Sequence, residues 1–204
     1  MTPSERFSAA IQQFDDANRQ DPARVGLGGA EEPATLRYAR RMTAWLDRLV
    51  PGASEALQLA VRCHHLRRWE FPRDRYPMTR AGYHQWRTAA GRFHADEAGK
   101  ILREVGYGDE LVARVQAIVR KESLKTDAET QSLEDVACLA FLEQGFAEFA
   151  ARHDADKVVG IVRRTWRKMS PRGQGAALTL NLSDDARRLI ERALSPAPAG
   201  PEGP

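Results

Sequence analysis

Residues 36–49 read LRYARRMTAWLDRL, and this stretch indicates the fold class of the chain. Its apolar side chains recur three and four positions apart, which places them on one face of an α-helix. The residues on this face are Leu36, Ala39, Met42, Trp45, Leu46 and Leu49. Pro33 precedes the pattern and Pro51-Gly52 follows it, as is typical of a helix start and a helix end. A helix with one apolar face needs other helices or a sheet to cover that face.

The same spacing recurs along nearly the whole chain, whereas the alternating β-branched pattern of strands is nearly absent. It predicts helices over about 4–19, 33–49, 54–71, 80–105, 109–122, 129–151, 157–169 and 183–194. Residues 178–182 fit neither pattern clearly. We therefore expect an all-α protein in which residues 1–194 form a single multi-helix bundle. Residues 195–204 are rich in proline and glycine, so we expect a disordered tail there.

Composition narrows the class of protein. The chain has 204 residues, of which 42% are hydrophobic and 29% charged, as is usual for soluble domains. No apolar run approaches the roughly 20 residues that a membrane helix needs, and the first residues are polar rather than apolar. We expect a cytoplasmic protein with no membrane contact. Its two cysteines, Cys63 and Cys138, lie in apolar helical patterns and are expected to be reduced thiols of the core.

Positive charge is concentrated in one part of the chain. Residues 62–92 contain eight arginines and two acidic residues, a local charge of +6 in a chain whose net charge is +3. A second basic run without acidic residues spans 163–172. Such clustering predicts either a surface that attracts anions or salt bridges to acidic helices. Nucleic acid is an alternative partner, although the usual RNA-binding signatures are missing.

The richest chemistry lies in residues 63–73, which read CHHLRRWEFPR. Neutral imidazole is a metal ligand or proton carrier, and guanidinium binds phosphate or carboxylate. Adjacent helical residues point about 100° apart, so His64 and His65 cannot both face a core. This favours a polar site for an anion at the end of the helix. The alternative is one capping histidine and one surface histidine.

Further ionisable residues follow in a suggestive order. His94 lies in FHADEAGKILREVGY (93–107), Lys121 ends the next helix, and Asp135 lies in LEDVACLAFL (133–142). Over about residues 36–143 this order resembles the core of the HD superfamily of metal-dependent phosphohydrolases. The chain departs from that pattern in having no histidine near residues 38–41, in His65 where the family has aspartate, and in Lys121 where it has histidine.

The resemblance implies an HD-like helical bundle and a phosphohydrolase site whose metal centre is degenerate. It suggests one divalent transition metal, held by His64, His94 and Asp135. The expected catalytic residues are His64, His65, Glu70 and Asp135. The expected substrate-binding residues are Arg68, Trp69, Arg73, Arg87, Lys121 and Lys125. For Arg68 and Arg73 the alternative is ion pairing to nearby carboxylates. The aromatic residues Trp69, Tyr76, Tyr83 and Trp86 would either stack a nucleobase or pack the 71–79 loop.

Most of the chain is closer to an uncharacterised bacterial and fungal family, a domain of unknown function. The stretches that carry this resemblance are 15–22, 38–46, 65–77, 82–87 and 157–170. It implies no activity. The leading hypothesis is a hydrolase acting on a small phosphorylated or nucleotide substrate. The alternatives are a non-catalytic regulatory module that binds an anion or nucleotide and has lost its metal, and a nucleic-acid-associated protein. The oligomeric state does not follow from the sequence.

Overall fold

The structure is a computed structural model that describes residues 1–26 and 31–195. It confirms the all-α prediction. The α-helices are α1 (Pro3–Arg19), α2 (Ala34–Leu49), α3 (Glu55–Cys63), α4 (Arg80–Glu104), α5 (Asp109–Arg120), α6 (Ala128–Ala140), α7 (Phe146–Ala151), α8 (Ala155–Trp166), α9 (Pro171–Leu178) and α10 (Asp184–Leu194). Two short strands, β1 (Arg24–Val25) and β2 (Glu32–Pro33), pair antiparallel.

The backbone divides into two compact units, Met1–Ala137 and Cys138–Pro204. The single bundle expected over 1–194 stays a prediction, and the tail expected at 195–204 lies outside the described residues from 196 onward. No helix in the described part of the chain is long and apolar enough to cross a membrane.

The core of the first unit is built by α1 to α5. The apolar face of α2 is buried as its spacing predicts, with Met42 fully covered and Leu46 1% exposed. Helix α2 packs on α3, and α5 packs on both α3 and α4. Ser54 caps α3 by accepting a hydrogen bond from the backbone N–H of Leu57. Thr79 caps α4 in the same way, by accepting from the N–H of Gly82.

Helix α3 ends earlier than its sequence predicts. The predicted helix over 54–71 is wrong beyond Cys63, where the chain turns and continues as a short 3₁₀-helix, Arg68–Glu70. Arg67 has a left-handed backbone (φ 53°), and its N–H donates to the side-chain oxygen of buried Asn18 at 3.2 Å. A contact with distant α1 therefore fixes a turn that local helical spacing does not indicate. This turn determines where His64, His65 and Leu66 lie.

The 71–79 loop is fastened to the start of α4. The guanidinium of Arg73 donates to the backbone carbonyls of Tyr76 (2.8 Å) and Pro77 (2.7 Å). At Gly82 a Cβ atom would lie 2.1 Å from the carbonyl oxygen of Pro77, so only glycine allows this approach. The loop is thus held by side-chain hydrogen bonds and by close backbone contact.

The second unit contains two departures from the predicted helices. The helix predicted over 129–151 is not one continuous α-helix, because the chain widens into a π-helical segment, Phe141–Gly145, between α6 and α7. Helix α9 was not predicted; Pro171 occupies its first turn and the Ser170 side chain caps it. The last helix, α10, begins after Ser183 as predicted and packs on α8.

Candidate functional site

Four ring side chains of the first unit form what we call the ring cluster: Tyr38, His64, His65 and His94. The imidazoles of His64 and His65 stack with centroids 4.3 Å apart, and the His94 ring lies 5.6 Å from that of His65. Tyr38 stacks on His65 at 4.6 Å, and its hydroxyl oxygen lies 3.3 Å from Nδ1 of His64. The turn after α3 therefore brings both adjacent histidines into one cluster with side chains of α2 and α4.

His94 has a defined tautomer and an unused nitrogen. Its Nδ1–H donates to the backbone carbonyl of Leu66 at 2.7 Å, because a carbonyl oxygen can only accept. Nε2 of neutral His94 therefore carries a lone pair. That atom is buried and has no hydrogen-bond partner among the described residues, and the whole residue is only 2% exposed. Burial lowers the pKa of His94 to about 4, although the bond to Leu66 acts the other way.

His64 and His65 are also held in the neutral form. Nη1 of Arg68 lies 3.4 Å from Nε2 of His65, and a guanidinium can only donate, so neutral His65 carries its proton on Nδ1. Burial is the main cause that lowers the pKa of both imidazoles well below the ordinary value. The nearby positive charge of Lys121 adds to the lowering for His64, and adjacent His64 and Arg68 add to it for His65. A protonated imidazole here would face other cations.

Arg68 is a half-buried cation that forms no ion pair with a carboxylate of the described residues. Its guanidinium lies over the ring of Trp86, 5.1 Å from the centroid, and Nη1 approaches His65. Burial lowers the pKa of this guanidinium. Since buried charges in proteins normally have a charged or strongly polar partner, Arg68 has the character of a residue that binds an anion.

Two more cations share one carboxylate. Nζ of Lys121 pairs with Glu134, and Nη2 of Arg87 lies 3.6 Å from the same carboxylate. The side chain of Glu134 is 3% exposed. Their positive charges are among the causes that lower the pKa of His64. Arg68, Arg87 and Lys121 thus act on His64 through their charge, and two of the three are paired with Glu134.

Sequence reasoning missed two residues of this arrangement. The sequence pattern indicates Asp135 as a site residue and does not indicate its neighbour Glu134. Asp135 is buried and accepts a hydrogen bond from the side chain of Gln131 at 2.9 Å. Tyr38 was not named as a site residue. Its position in the chain could have identified it, because the HD pattern has its first histidine near residues 38–41. No comparable signal separates Glu134 from Asp135, since both lie on α6 and only the location of Lys121 distinguishes them.

The structure brings together only part of the predicted set. His64, His65, His94 and Arg68 meet at the cluster. Arg87 and Lys121 pair with Glu134, and their charges lower the pKa of His64. Glu70 instead pairs with Arg67 at 3.3 Å, and Arg73 serves the loop carbonyls. Trp69 is half-buried in the 3₁₀-helix, and Lys125 is exposed. The roles predicted for these four residues and for Asp135 stay predictions.

One donor atom of the cluster has the geometry of a metal ligand. His94 is oriented as a metal ligand usually is, with Nδ1–H bound to a carbonyl and Nε2 unpartnered. However, no three His, Cys, Asp or Glu side chains within residues 1–26 and 31–195 are grouped so that they could hold a metal ion. The set His64, His94 and Asp135 therefore does not fit a three-ligand centre in this structure. The divalent transition metal itself stays a prediction.

No curated protein and no solved structure matches the chain. The relationship to the HD superfamily, the taxonomic range of the family, the cytoplasmic location and a nucleic-acid partner accordingly stay predictions. One family does match, over residues 8–190, which is most of the chain. The chain therefore belongs to the DUF4202 family, a domain of unknown function.

Proposed function

We propose that the ring cluster binds the phosphoryl group of a small phosphorylated molecule and hydrolyses its phosphoester or phosphoanhydride bond. The observation that carries this proposal is the guanidinium of Arg68, which lies half-buried beside His65 and has no carboxylate partner among the described residues. A phosphate is a suitable partner because it offers several oxygens to donors on different elements. Each charge-assisted hydrogen bond to it would contribute about 1.5–3 kcal/mol.

The surrounding charges support the same ligand class. Arg68, Arg87 and Lys121 bring three positive charges, while Glu134 brings one negative charge. A phosphate dianion would offset this excess. It would also raise the pKa values of the three imidazoles, because a nearby anion stabilises their protonated form. Ligand binding and histidine protonation are therefore expected to be coupled.

The Nε2 lone pair of His94 supplies the base for hydrolysis. With a pKa of about 4, His94 is neutral at pH 7, and among the described residues Nε2 has no partner that would compete for a proton. Nε2 takes a proton from a water molecule as the water oxygen bonds to phosphorus. The bond from phosphorus to the leaving oxygen breaks, its electron pair stays on that oxygen, and solvent protonates it. The bound phosphate raises the pKa of His94 and so makes it a stronger base.

A divalent metal, if bound through His94, would screen phosphate charge and lower the pKa of water. Because the described residues do not provide a three-ligand set, no step is assigned to a metal. In its place, Lys121 supplies a fixed positive charge that acts on His64 and pairs with Glu134. Lysine can offset phosphate charge but cannot activate water.

The first experiment combines metal analysis of the purified protein with a hydrolysis screen. Phosphomonoesters and nucleotides are tested before and after chelation. Arg68→Ala is expected to abolish stabilisation by phosphate in thermal melts, whereas His94→Gln is expected to keep binding and lose turnover. Arg92→Ala is the matched control, since it removes an exposed arginine of α4. A wild-type protein that neither binds phosphate nor hydrolyses any of these compounds would refute the proposal.

A second candidate is a regulatory module that binds the same ligand without turnover. Lys121 favours it, because this residue stands where the HD pattern has a histidine and is paired with Glu134. The same screen separates the two functions. Stabilisation by nucleotides together with no hydrolysis, with or without added divalent metals, would establish the non-catalytic reading.

A further inference from the structure

We infer that Tyr83, supported by Trp86, is the specificity-determining residue of this site and stacks on a planar ring of the ligand, so that the site selects nucleoside phosphates over sugar phosphates. This inference rests on the proposed function, because it assumes that the phosphoryl group lies at the ring cluster. It adds the chemical class of the rest of the ligand.

The first argument is the arrangement of side chains along α4. Tyr83, Arg87 and His94 are separated by four and seven residues, so they lie on nearly the same face of the helix. With a rise of 1.5 Å per residue, Tyr83 lies about 16 Å from His94 and about 6 Å from Arg87 along the axis. One face of α4 therefore carries, in order, the proposed general base His94, the cation Arg87 and the aromatic ring of Tyr83.

The second argument is the exposure of Tyr83. It is 44% exposed and is the only aromatic residue in the described part of the chain that falls in the exposed class. Its ring centroid lies 5.9 Å from that of Trp86, which is buried and donates its Nε1–H to the carbonyl of Phe71 at 3.1 Å. A fixed indole thus supports one side of the tyrosine ring, and much of the residue remains in contact with solvent.

The third argument is the link between this aromatic pair and the phosphate ligand. Arg68 lies over Trp86 and approaches His65, so one guanidinium joins the aromatic pair to the ring cluster. A ligand whose phosphate reaches Arg68 would therefore present the rest of its structure near Tyr83. A nucleobase has two flat apolar faces, which suit an exposed aromatic ring beside a cation.

The fourth argument is rigidity. The 71–79 loop is fixed by Arg73 and by its contact at Gly82, one residue before Tyr83. The backbone that carries the ring is thus already in place, so stacking costs little ordering entropy.

The experiment compares three probes by isothermal titration: adenosine 5′-monophosphate, ribose 5-phosphate and inorganic phosphate. Wild type is expected to bind the nucleotide about 5- to 150-fold more tightly than ribose 5-phosphate, which is the range that stacking of one base provides. Tyr83→Ala is expected to remove this preference, while Tyr83→Phe keeps it. Gln85→Ala, at an exposed position of the same helix, is the control.

The outcomes distinguish this inference from the proposed function. If wild type binds all three probes with equal affinity, the phosphate site stands and the stacking role of Tyr83 is refuted. If Tyr83→Ala weakens the binding of inorganic phosphate as much as the binding of the nucleotide, Tyr83 supports the fold and does not select the planar ring. If wild type binds none of the probes, the proposed function fails and the inference fails with it. Circular dichroism of each variant checks that it is folded.

Discussion

Replacing Glu134 with glutamine is expected to lower the stability of the protein and to tighten its binding of phosphate. The carboxylate is 3% exposed and the paired Lys121 side chain is 17% exposed, so the variant removes a counter-charge from a largely buried ammonium. Breaking such a pair typically costs about 3–5 kcal/mol. The amide oxygen of glutamine still accepts a hydrogen bond, so we expect the lower end, about 3 kcal/mol. For a chain of this size that is a fall in Tm of about 6–12 °C.

Binding is expected to change in the opposite direction. Without the carboxylate, Lys121 and Arg87 no longer pair with residue 134, and we expect one of them to donate to the bound phosphate instead. One additional charge-assisted hydrogen bond to phosphate contributes about 1.5–3 kcal/mol, which corresponds to an affinity at least about tenfold higher. Phosphate should accordingly raise the Tm of this variant by more than it raises that of wild type.

The assay is a pair of thermal melts and phosphate titrations on wild type and Glu134→Gln. Glu129→Gln is the matched control, because it removes the same charge from the same helix. Glu129 pairs with Arg114 in a more exposed ion pair, with side-chain exposures of 29% and 37%. Such a pair contributes about 1 kcal/mol or less, and it is not part of the cluster. If Glu134→Gln bound phosphate no more tightly than wild type, Lys121 and Arg87 would not face the anion and the reasoning would be refuted.

Three further predictions concern stability. The pKa of His94 is about 4, below the ordinary value near 6.5, so the unfolded chain binds this proton first as the pH falls. The urea midpoint of unfolding should therefore drop between pH 6.5 and pH 4, and it should drop less in His94→Gln. A flat profile of the wild-type midpoint against pH would contradict this prediction. Arg62 and Asp15 form a bidentate ion pair, and their side chains are 11% and 9% exposed. Arg62→Ala breaks this pair and should lower the free energy of unfolding in denaturant by about 3–5 kcal/mol. A loss below about 1 kcal/mol would show that the pair does not stabilise the fold. Gly82→Ala forces a Cβ atom against a loop carbonyl and should destabilise the folded protein by about 1–3 kcal/mol. Gly175→Ala, where a Cβ atom would have no described neighbour within 4 Å, should stabilise it by about 0.5–1 kcal/mol. Equal shifts of Tm in the two variants would count against the close contact at Gly82.

Local pattern accounts for the parts of the protein that were predicted well. The 3.6-residue spacing in 36–49 identifies α2 and its buried face, because a helix is formed by contacts within one short segment. The same holds for α4, which was predicted over 80–105 and spans Arg80–Glu104. The polar site predicted from the two adjacent histidines assumed that both lie on a helix, whereas α3 ends at Cys63, and that site stays a prediction.

Long-range contacts decided the rest. The end of α3 depends on Asn18 of α1, and the tautomer of His94 depends on a carbonyl that the turn after α3 supplies. The choice between Glu134 and its neighbour depends on where the end of α5 places Lys121. Sequence alone therefore determined the helices and the types of side chain available, because both follow from covalent order and helical period. Only the tertiary structure decided which of those side chains meet, because such pairs are far apart in the chain and are joined by packing.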